Sequence, residues 1–213
     1  MAGPASHPFV ARVYDPIVGI ADWLFLEPHR QALLSSLEGR VLDIGSGTGS
    51  MLRRVASLPP SDQPEHLIGI EPDQSMRRRI PPLGLAGGQP VRVLAGIGEH
   101  LPVRSDSIDI ALCAMVLCTV EDPTAVLEEL ARVIRPGGEL RLLEHIEASG
   151  RQGQFQRAAR PVWRRVAGGC RPDRATDSRL AAHSRFMPLD ERVLSVGIPP
   201  IRPFLRGRYR VCG

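Results

Sequence analysis

Short apolar runs punctuated by glycine, proline or polar breaks recur through the first two thirds of the chain. Val41–Gly45, His66–Glu71, Val91–Ala95, Ile108–Met115 and Glu139–His145 read as strands. Ile108–Met115 (IDIALCAM) is apolar on both faces, as a central parallel strand covered by helices must be. Between these runs the period changes. Ser50–Ser57 and a segment from about Asp73 carry helical spacing, and Pro123–Ile134 is a strongly amphipathic helix stopped by Arg135-Pro136-Gly137-Gly138. Loops are expected at Pro59–Asp62 and Pro81–Pro90. Residues 9–38 read as one or two amphipathic helices broken near Pro16, so residues 1–38 are expected to form a helical N-terminal lid on a main domain at 39–213. Residues 151–184 are helical in part, and two short strands near Val193–Val196 and Tyr209–Cys212 close the chain. Strands alternating with helices predict an α/β fold: a three-layer Rossmann-like sandwich on a mostly parallel, seven-stranded sheet. Ligands of such sheets bind beyond the carboxyl ends of the strands, where the strand order reverses.

Composition narrows the picture. The 213 residues suffice for one large domain or a domain with a cap, burying roughly 70–75% of the unfolded surface. The four cysteines, Cys113, Cys118, Cys170 and Cys212, fit no Cys-x-x-Cys spacing, so no metal site is expected, and Cys113 and Cys118, in an apolar segment, read as reduced residues of a cytoplasmic protein. The net charge is +4, and every basic residue other than histidine is arginine. The densest cluster, Arg77-Arg78-Arg79, reads as a solvated helix face, and no basic run interleaved with aromatics points to nucleic acid. No signal peptide is expected. The apolar stretch Ile17–Leu26 is only ten residues long and is interrupted by Asp22, too short to span a bilayer. An amphipathic first helix would still permit contact with a membrane surface.

The chemistry begins at Val41-Leu42-Asp43-Ile44-Gly45-Ser46-Gly47-Thr48-Gly49. A strand enters a glycine turn and a helix follows. Glycines let a ligand approach the backbone closely, and a helix N-terminus presents N–H groups. Glu71 ends the next strand, 22 positions beyond Gly49, where a carboxylate can accept hydrogen bonds from both hydroxyls of a ribose. NAD and S-adenosylmethionine both suit this geometry. The dinucleotide pattern is G-x-G-x-x-G, whereas the glycines here fall as G-S-G-T-G.

The segments VLDIGSGTG, LIGIEPDQSM, LPVRSDSIDIALCAMVLCTVEDP and LEELARVIRPGGELRLLEHI, spanning about residues 40–146, together resemble the class I S-adenosylmethionine-dependent methyltransferases. The resemblance implies S-adenosyl-L-methionine as cofactor. Gly45, Ser46 and Gly47 would line its methionine part, and Asp43 would order the loop or meet the amino group. Glu71 would take the ribose, with Pro72 beside the adenine. Members of the class often carry an acidic residue just after strand three that meets the adenine amino group. Ile97 stands near that position here, so apolar packing and backbone groups are expected to hold the adenine instead. Gly98 and Met115 complete the cofactor-facing set.

A narrower likeness rests on Met115–Val120, Leu143-Glu144-His145, Pro161-Val162-Trp163 and Gly168-Gly169-Cys170 with Arg174. These resemble the alkyl-thiol methyltransferase-like group and its bacterial relatives. The membrane-bound animal members carry an N-terminal hydrophobic anchor, which is not expected here.

The cofactor would supply the electrophile and the protein placement and a dry cavity. His145, ending strand five, is the first candidate for base or acceptor-orienting group, against a plain bond to a loop carbonyl. Tyr14 in the lid, Cys118 after strand four and Cys170 are candidate lining of the acceptor pocket, each with ordinary packing as the alternative. Trp163 reads as a packing anchor of the late helix. The strand-four exit, Ala114–Cys118, has no aromatic or amide against which a flipped base would stack, which disfavours nucleic acid and suits a small or lipophilic acceptor. The expectation is methyl transfer to a thiol, lipid or quinone-like small molecule. Its rivals are an NAD-dependent oxidoreductase and a non-catalytic cofactor-binding partner protein.

Overall fold

A computed structural model describes residues 25–213; Tyr14 and most of the expected lid lie outside them. One sheet of seven strands runs through the molecule in the order β3-β2-β1-β4-β5-β7-β6. The strands are β1 (Arg40–Ile44), β2 (His66–Ile70), β3 (Arg92–Leu94), β4 (Ile108–Ala114), β5 (Ile134–His145), β6 (Phe186–Leu194) and β7 (Phe204–Val211). Strands β1 to β5 pair in parallel, while β7 runs antiparallel to both β5 and β6. The order reverses between β1 and β4, which puts the switch point beside the glycine turn. The helices are α1 (Glu27–Leu33), α2 (Ser50–Ala56), α3 (Gln74–Arg77), α4 (Pro123–Val133), α5 (Gly150–Val166) and α6 (Thr176–Ala182). Among the described residues no helix is long and apolar enough to cross a membrane.

Helix α4 shows how local sequence sets an element. Asp122 caps it by accepting hydrogen bonds from the Thr124 and Ala125 amides at 2.8 and 3.2 Å, and Pro123 fits the first turn. Val126, Leu127, Leu130, Ala131 and Val133 then fall on one buried face against β4 and β5. The opposite sheet face is covered by Leu26, Leu33, Leu34 and Leu37 of the α1 region together with Met51, Leu52 and Val55 of α2. Each such side chain contributes on the order of 1.5–3 kcal/mol when fully buried. The described part of the expected lid is therefore core.

Three boundaries differ from the sequence expectation. The Arg135–Gly138 turn was expected to separate helix from strand, but Ile134 is already extended and the turn is absorbed into the start of β5. The pairing of β5 with β4 is irregular there, between Ile108 and Ile110. The two closing strands are longer than expected and pair with each other from Phe186–Val211 to Leu194–Phe204. Strand β3 is shorter, at Arg92–Leu94.

Two buried polar side chains do structural work that periodicity does not announce. The Arg141 guanidinium sits inside, donates to the carbonyls of Leu33 and Ser36 at 3.0 and 3.3 Å and to that of Ser35, and pairs with Glu139 at 2.9 Å. It thereby caps the C-terminus of α1 from the sheet. The fully buried Gln156 of α5 accepts from the Ala148 amide at 2.7 Å, and its two amide protons are shared among the surrounding carbonyls of Ile146, Pro172, Pro200 and Arg202. It ties the exit of β5 to two later loops. Replacing Arg141 with Met orphans three carbonyls and should cost about 2–4 kcal/mol. Urea unfolding is expected to show a lower midpoint with an unchanged slope.

Candidate active site

Strand β1 delivers Asp43 and Ile44 into a turn where Gly45 and Gly47 have φ of 61° and 56°. A Cβ on Gly45 would stand 2.6 Å from the Val116 side chain, so the turn and the exit of β4 can touch only with glycine there. Gly69 makes the same allowance on β2, where a Cβ would meet Ser46 Oγ at 2.6 Å. The turn's amides differ from the sequence expectation. Ser46 N donates to Ile70 O at 3.0 Å, Gly49 N to Ser46 O at 2.8 Å, and Gly47 N to Glu71 Oε2 at 2.8 Å. These three N–H groups are spent inside the protein, so the turn offers shape at those positions.

Glu71 is 7% exposed and its other oxygen accepts from the Asp73 amide at 2.8 Å. Burial raises its pKa, and the backbone bonds from Asp73 and Gly47 work against that rise. The Arg77 guanidinium donates to the carbonyls of Glu71 and Pro72 and pins the turn after β2. Asp43 is buried beneath the glycine turn, and its Oδ2 has no hydrogen-bond partner among the described residues. Burial pushes its pKa up to about 7, partly offset by a Ser46 bond and the Arg30 charge.

At the exit of β4, Met115 adopts φ of 64°. The turn is held by Glu144 of β5, whose buried carboxylate accepts the amides of Val116, Leu117 and Cys118, the last two at 2.9 and 3.4 Å. Burial again raises the pKa, to about 7, against those backbone bonds. No role for Glu144 was expected; its signal in the sequence is an acidic residue at an otherwise apolar strand end.

These elements enclose a cavity of about 390 Å³. Gly45, Gly47, Glu71, Pro72, Ile97, Gly98 and Met115 line it. Ser46 and Asp43 lie behind its wall. The lining also includes Asp73, Met76, Glu99 and Glu121, for which no site role was expected, and Val120 and Gly168, which the sequence carried only as part of the narrower likeness. Glu99 lies two positions after Ile97 and accepts the Glu121 and Asp122 amides at 2.9 and 3.2 Å, joining the β3 exit to the start of α4. Four carboxylates, Glu71, Asp73, Glu99 and Glu121, face the cavity, and no arginine, lysine or histidine does among the described residues.

His145, Cys118 and Cys170 are not in that wall. His145 was expected at the rim, but it is buried, packs its ring 4.5 Å from Phe204, and bonds through Nδ1 to Ile201 O at 2.6 Å. Strand β7 and the loop before it cover the end of β5, which removes His145 from the cavity. Cys118, His145 and Cys170 instead meet one another in the interior. The Cys118 thiol and the His145 ring both address the Cys170 sulfur and pull its pKa below the ordinary thiol range, while Cys118 is pushed well up. The absence of metal-type spacing along the chain did not foretell this convergence in space.

Solved structures of S-adenosylmethionine-dependent methyltransferases share this architecture. An S-adenosylmethionine-dependent methyltransferase of Mesorhizobium loti superposes with a TM-score of 0.68 at 19% identity, covering 91% of this chain and 99% of that one. Residues 42–142 match the family described as the methyltransferase domain. It is 30% identical over 151 residues to the thiol S-methyltransferase TMT1B of Rattus norvegicus, covering 67% of this chain and 58% of that protein. It is 28% identical over 132 residues to the ubiquinone/menaquinone biosynthesis C-methyltransferase UbiE of Syntrophotalea carbinolica, covering 61% of this chain and 54% of that protein. The chain thus spans a little over half the length of these relatives. S-adenosyl-L-methionine is the cofactor of the class. The acidic wall fits its sulfonium and ammonium charges, and Glu71 fits its ribose.

The raised pKa of Asp43 has a consequence for stability. Folding takes up a proton on this group between its ordinary pKa of 3.8 and its folded value of about 7. Its contribution is present at low pH and is lost as pH rises through that window, at up to about 1.4 kcal/mol per pH unit. Asp43→Asn should therefore flatten the pH dependence of the denaturation midpoint between about pH 4 and about pH 7 relative to the parent protein. An unchanged slope would show that Asp43 is ionised in the fold.

Proposed function

We propose that this protein moves a methyl group from S-adenosyl-L-methionine to a small-molecule acceptor, with a thiol as the acceptor the site suits best. The observation that carries this reading is the charge of the cavity wall, acidic at Glu71, Asp73, Glu99 and Glu121 with no basic group among the described lining residues. A sulfonium and an ammonium are stabilised there by simple Coulomb attraction. The diphosphate of NAD would meet the same carboxylates as like charges, which disfavours the oxidoreductase alternative.

When bound, the cofactor supplies a methyl carbon made electrophilic by the attached sulfonium. Glu71 would receive the ribose hydroxyls on the lone pairs not used by the Gly47 and Asp73 amides. Pro72, Ile97, Gly98 and Met76 would bracket the base by apolar contact and backbone. Gly45 and Met115 would hold the methionine end at the junction of β1 and β4. Ile44, Val116 and Val120 keep this end of the cavity apolar, so water is displaced from the reacting centre. An acceptor held at that end would offer its lone pair to the methyl carbon, with the electron pair of the broken carbon–sulfonium bond left on the departing sulfur. The acceptor's proton leaves to solvent.

The class of acceptor follows from what the wall lacks. No histidine, lysine, tyrosine or cysteine lines the cavity among the described residues. An alkyl thiol, with a pKa around 8.5, supplies a few per cent of its own thiolate at neutral pH and needs no base. An aliphatic alcohol would need one. The similarity to a thiol S-methyltransferase supports the same choice, and the similarity to a quinone C-methyltransferase makes a quinol the second acceptor to test.

Turnover of S-adenosylmethionine should be highest with small lipophilic thiols in a panel that also holds phenols, quinols and amines. Glu71→Ala should weaken S-adenosylhomocysteine binding by about 10- to 100-fold in calorimetry, the loss of charge-assisted bonds to a ribose. Binding of NADH with no binding of S-adenosylhomocysteine would reverse the reading.

A further inference from the structure

Cys118, His145 and Cys170 come from three separate stretches: the turn after β4, the end of β5 and the loop after α5. Their donor atoms lie within 4.8 Å of one another, and all three residues are buried. The cavity wall does not include them, so the proposed methyl transfer leaves the cluster without a role. Packing alone would not select two sulfurs and an imidazole at one point.

The surroundings orient the set. His145 Nδ1 is held at 2.6 Å from the Ile201 carbonyl, which can only accept, so the ring's proton sits on Nδ1. That leaves the Nε2 lone pair as the free donor. A carbonyl fixing the far nitrogen of the ring is the usual outer support of a metal-bound histidine. Backbone bonds place the sulfurs as well. The Cys118 amide is gathered by Glu144 at 3.4 Å, and the Arg171 amide donates to the Cys118 carbonyl at 2.8 Å, which brings the Cys170 loop against the turn. The Cys170 amide is bound to Ala167 O at 3.1 Å.

We propose that Cys118 Sγ, His145 Nε2 and Cys170 Sγ form a binding site for a thiophilic divalent cation of the zinc class. Two thiolates and an imidazole are the donors that a tetrahedral d¹⁰ ion takes, with ligand bonds of about 2.3 Å to sulfur and about 2.0–2.1 Å to nitrogen. Donor atoms already within 4.8 Å of one another need only small side-chain movements to surround such an ion. The two thiol protons leave to solvent as the metal–sulfur bonds form, and no oxidation is involved. Three protein ligands leave one position for water or another small donor. Glu144 stays out of the coordination sphere because its oxygens are committed to the Val116, Leu117 and Cys118 amides. The ion would clasp the loop after α5 onto the ends of β4 and β5. Gly168 of that loop lines the cavity, so metal occupancy would also steady one side of the methyl-transfer site.

The test is metal titration of the full chain after reduction and removal of bound metal. Zinc should bind one ion per chain and raise the thermal midpoint. Cobalt substituted for zinc should give the intense near-ultraviolet sulfur-to-cobalt band and the visible bands of a tetrahedral site. C118S, C170S and H145Q should each lower zinc affinity at least about 100-fold and remove the sulfur-to-cobalt band or weaken it. C212S, with its cysteine outside the cluster, should bind as the parent does. Circular dichroism of each metal-free variant separates lost binding from lost folding, and C170S, altered in a loop, keeps the test open if C118S or H145Q fails to fold. The proposal is overturned if the reduced parent binds no stoichiometric zinc. It is equally overturned if binding survives in folded C170S, or if mild oxidation links Cys118 to Cys170 while metal-free reduced protein gains nothing from zinc or cobalt. Methyl transfer can persist through any of these results, since none of the three residues lines the cavity.

Discussion

Backbone amides held by buried carboxylates fix the geometry on which this site depends. Glu71 at the end of β2 takes the Gly47 amide, and Glu144 near the end of β5 takes the amides that follow β4. Each bond reaches from one strand end to the turn of a neighbour. Together they close the gap between β1 and β4 at the point where the strand order reverses. Glycine at position 45 is the steric counterpart, since any Cβ there would collide with Val116. An ionised acceptor strengthens such bonds, while desolvation raises the cost of keeping it charged. Glu144 and Asp43, both with pKa values lifted to about 7, sit near that balance.

The same carboxylates give the cavity its chemistry. A wall lined by acids and by no arginine, lysine or histidine among the described residues favours positive charge in a ligand, even with Arg171 paired to Glu121, and apolar side chains around the β1–β4 junction keep the reacting end dry. The described wall holds no histidine, lysine, tyrosine or cysteine, and its carboxylates are weak bases for a reluctant acceptor such as an aliphatic alcohol. Catalysis by placement and desolvation is what such a wall can deliver, and it favours an acceptor that is already a good nucleophile.

Much of this was legible along the chain because it is local. The strand–glycine-turn–helix layout at 41–57, the carboxylate ending the second strand and the capped helix at 123–133 each announce themselves within a few residues. All seven strands occupy the expected stretches or overlap them, and the overlap is least where partners are antiparallel neighbours. Strand β6 is largely exposed along its length, and Pro188 with the charged run Asp190–Arg192 breaks up the apolar signal of Phe186, Met187 and Leu189. The Arg135–Gly138 turn misled for a related reason. Its glycines signal a break, but parallel pairing with β4 resumes across it. What spacing could not show was long-range. Arg141 meets carbonyls 105 to 108 positions away, and His145 is covered by a strand nearly 60 positions later in the chain. Two cysteines without metal spacing become neighbours only after the sheet has folded.

The central claim is that the crevice between the β1 turn and the β4 exit holds an adenosyl compound by its ribose and its charge. A crystal structure with S-adenosylhomocysteine bound tests it most directly. The account predicts both ribose hydroxyls on the Glu71 carboxylate, the base between Pro72 and Ile97, and the amino-acid end against Gly45 and Met115. Ligand found elsewhere on the surface, or in the crevice with Glu71 turned away from the sugar, would contradict it.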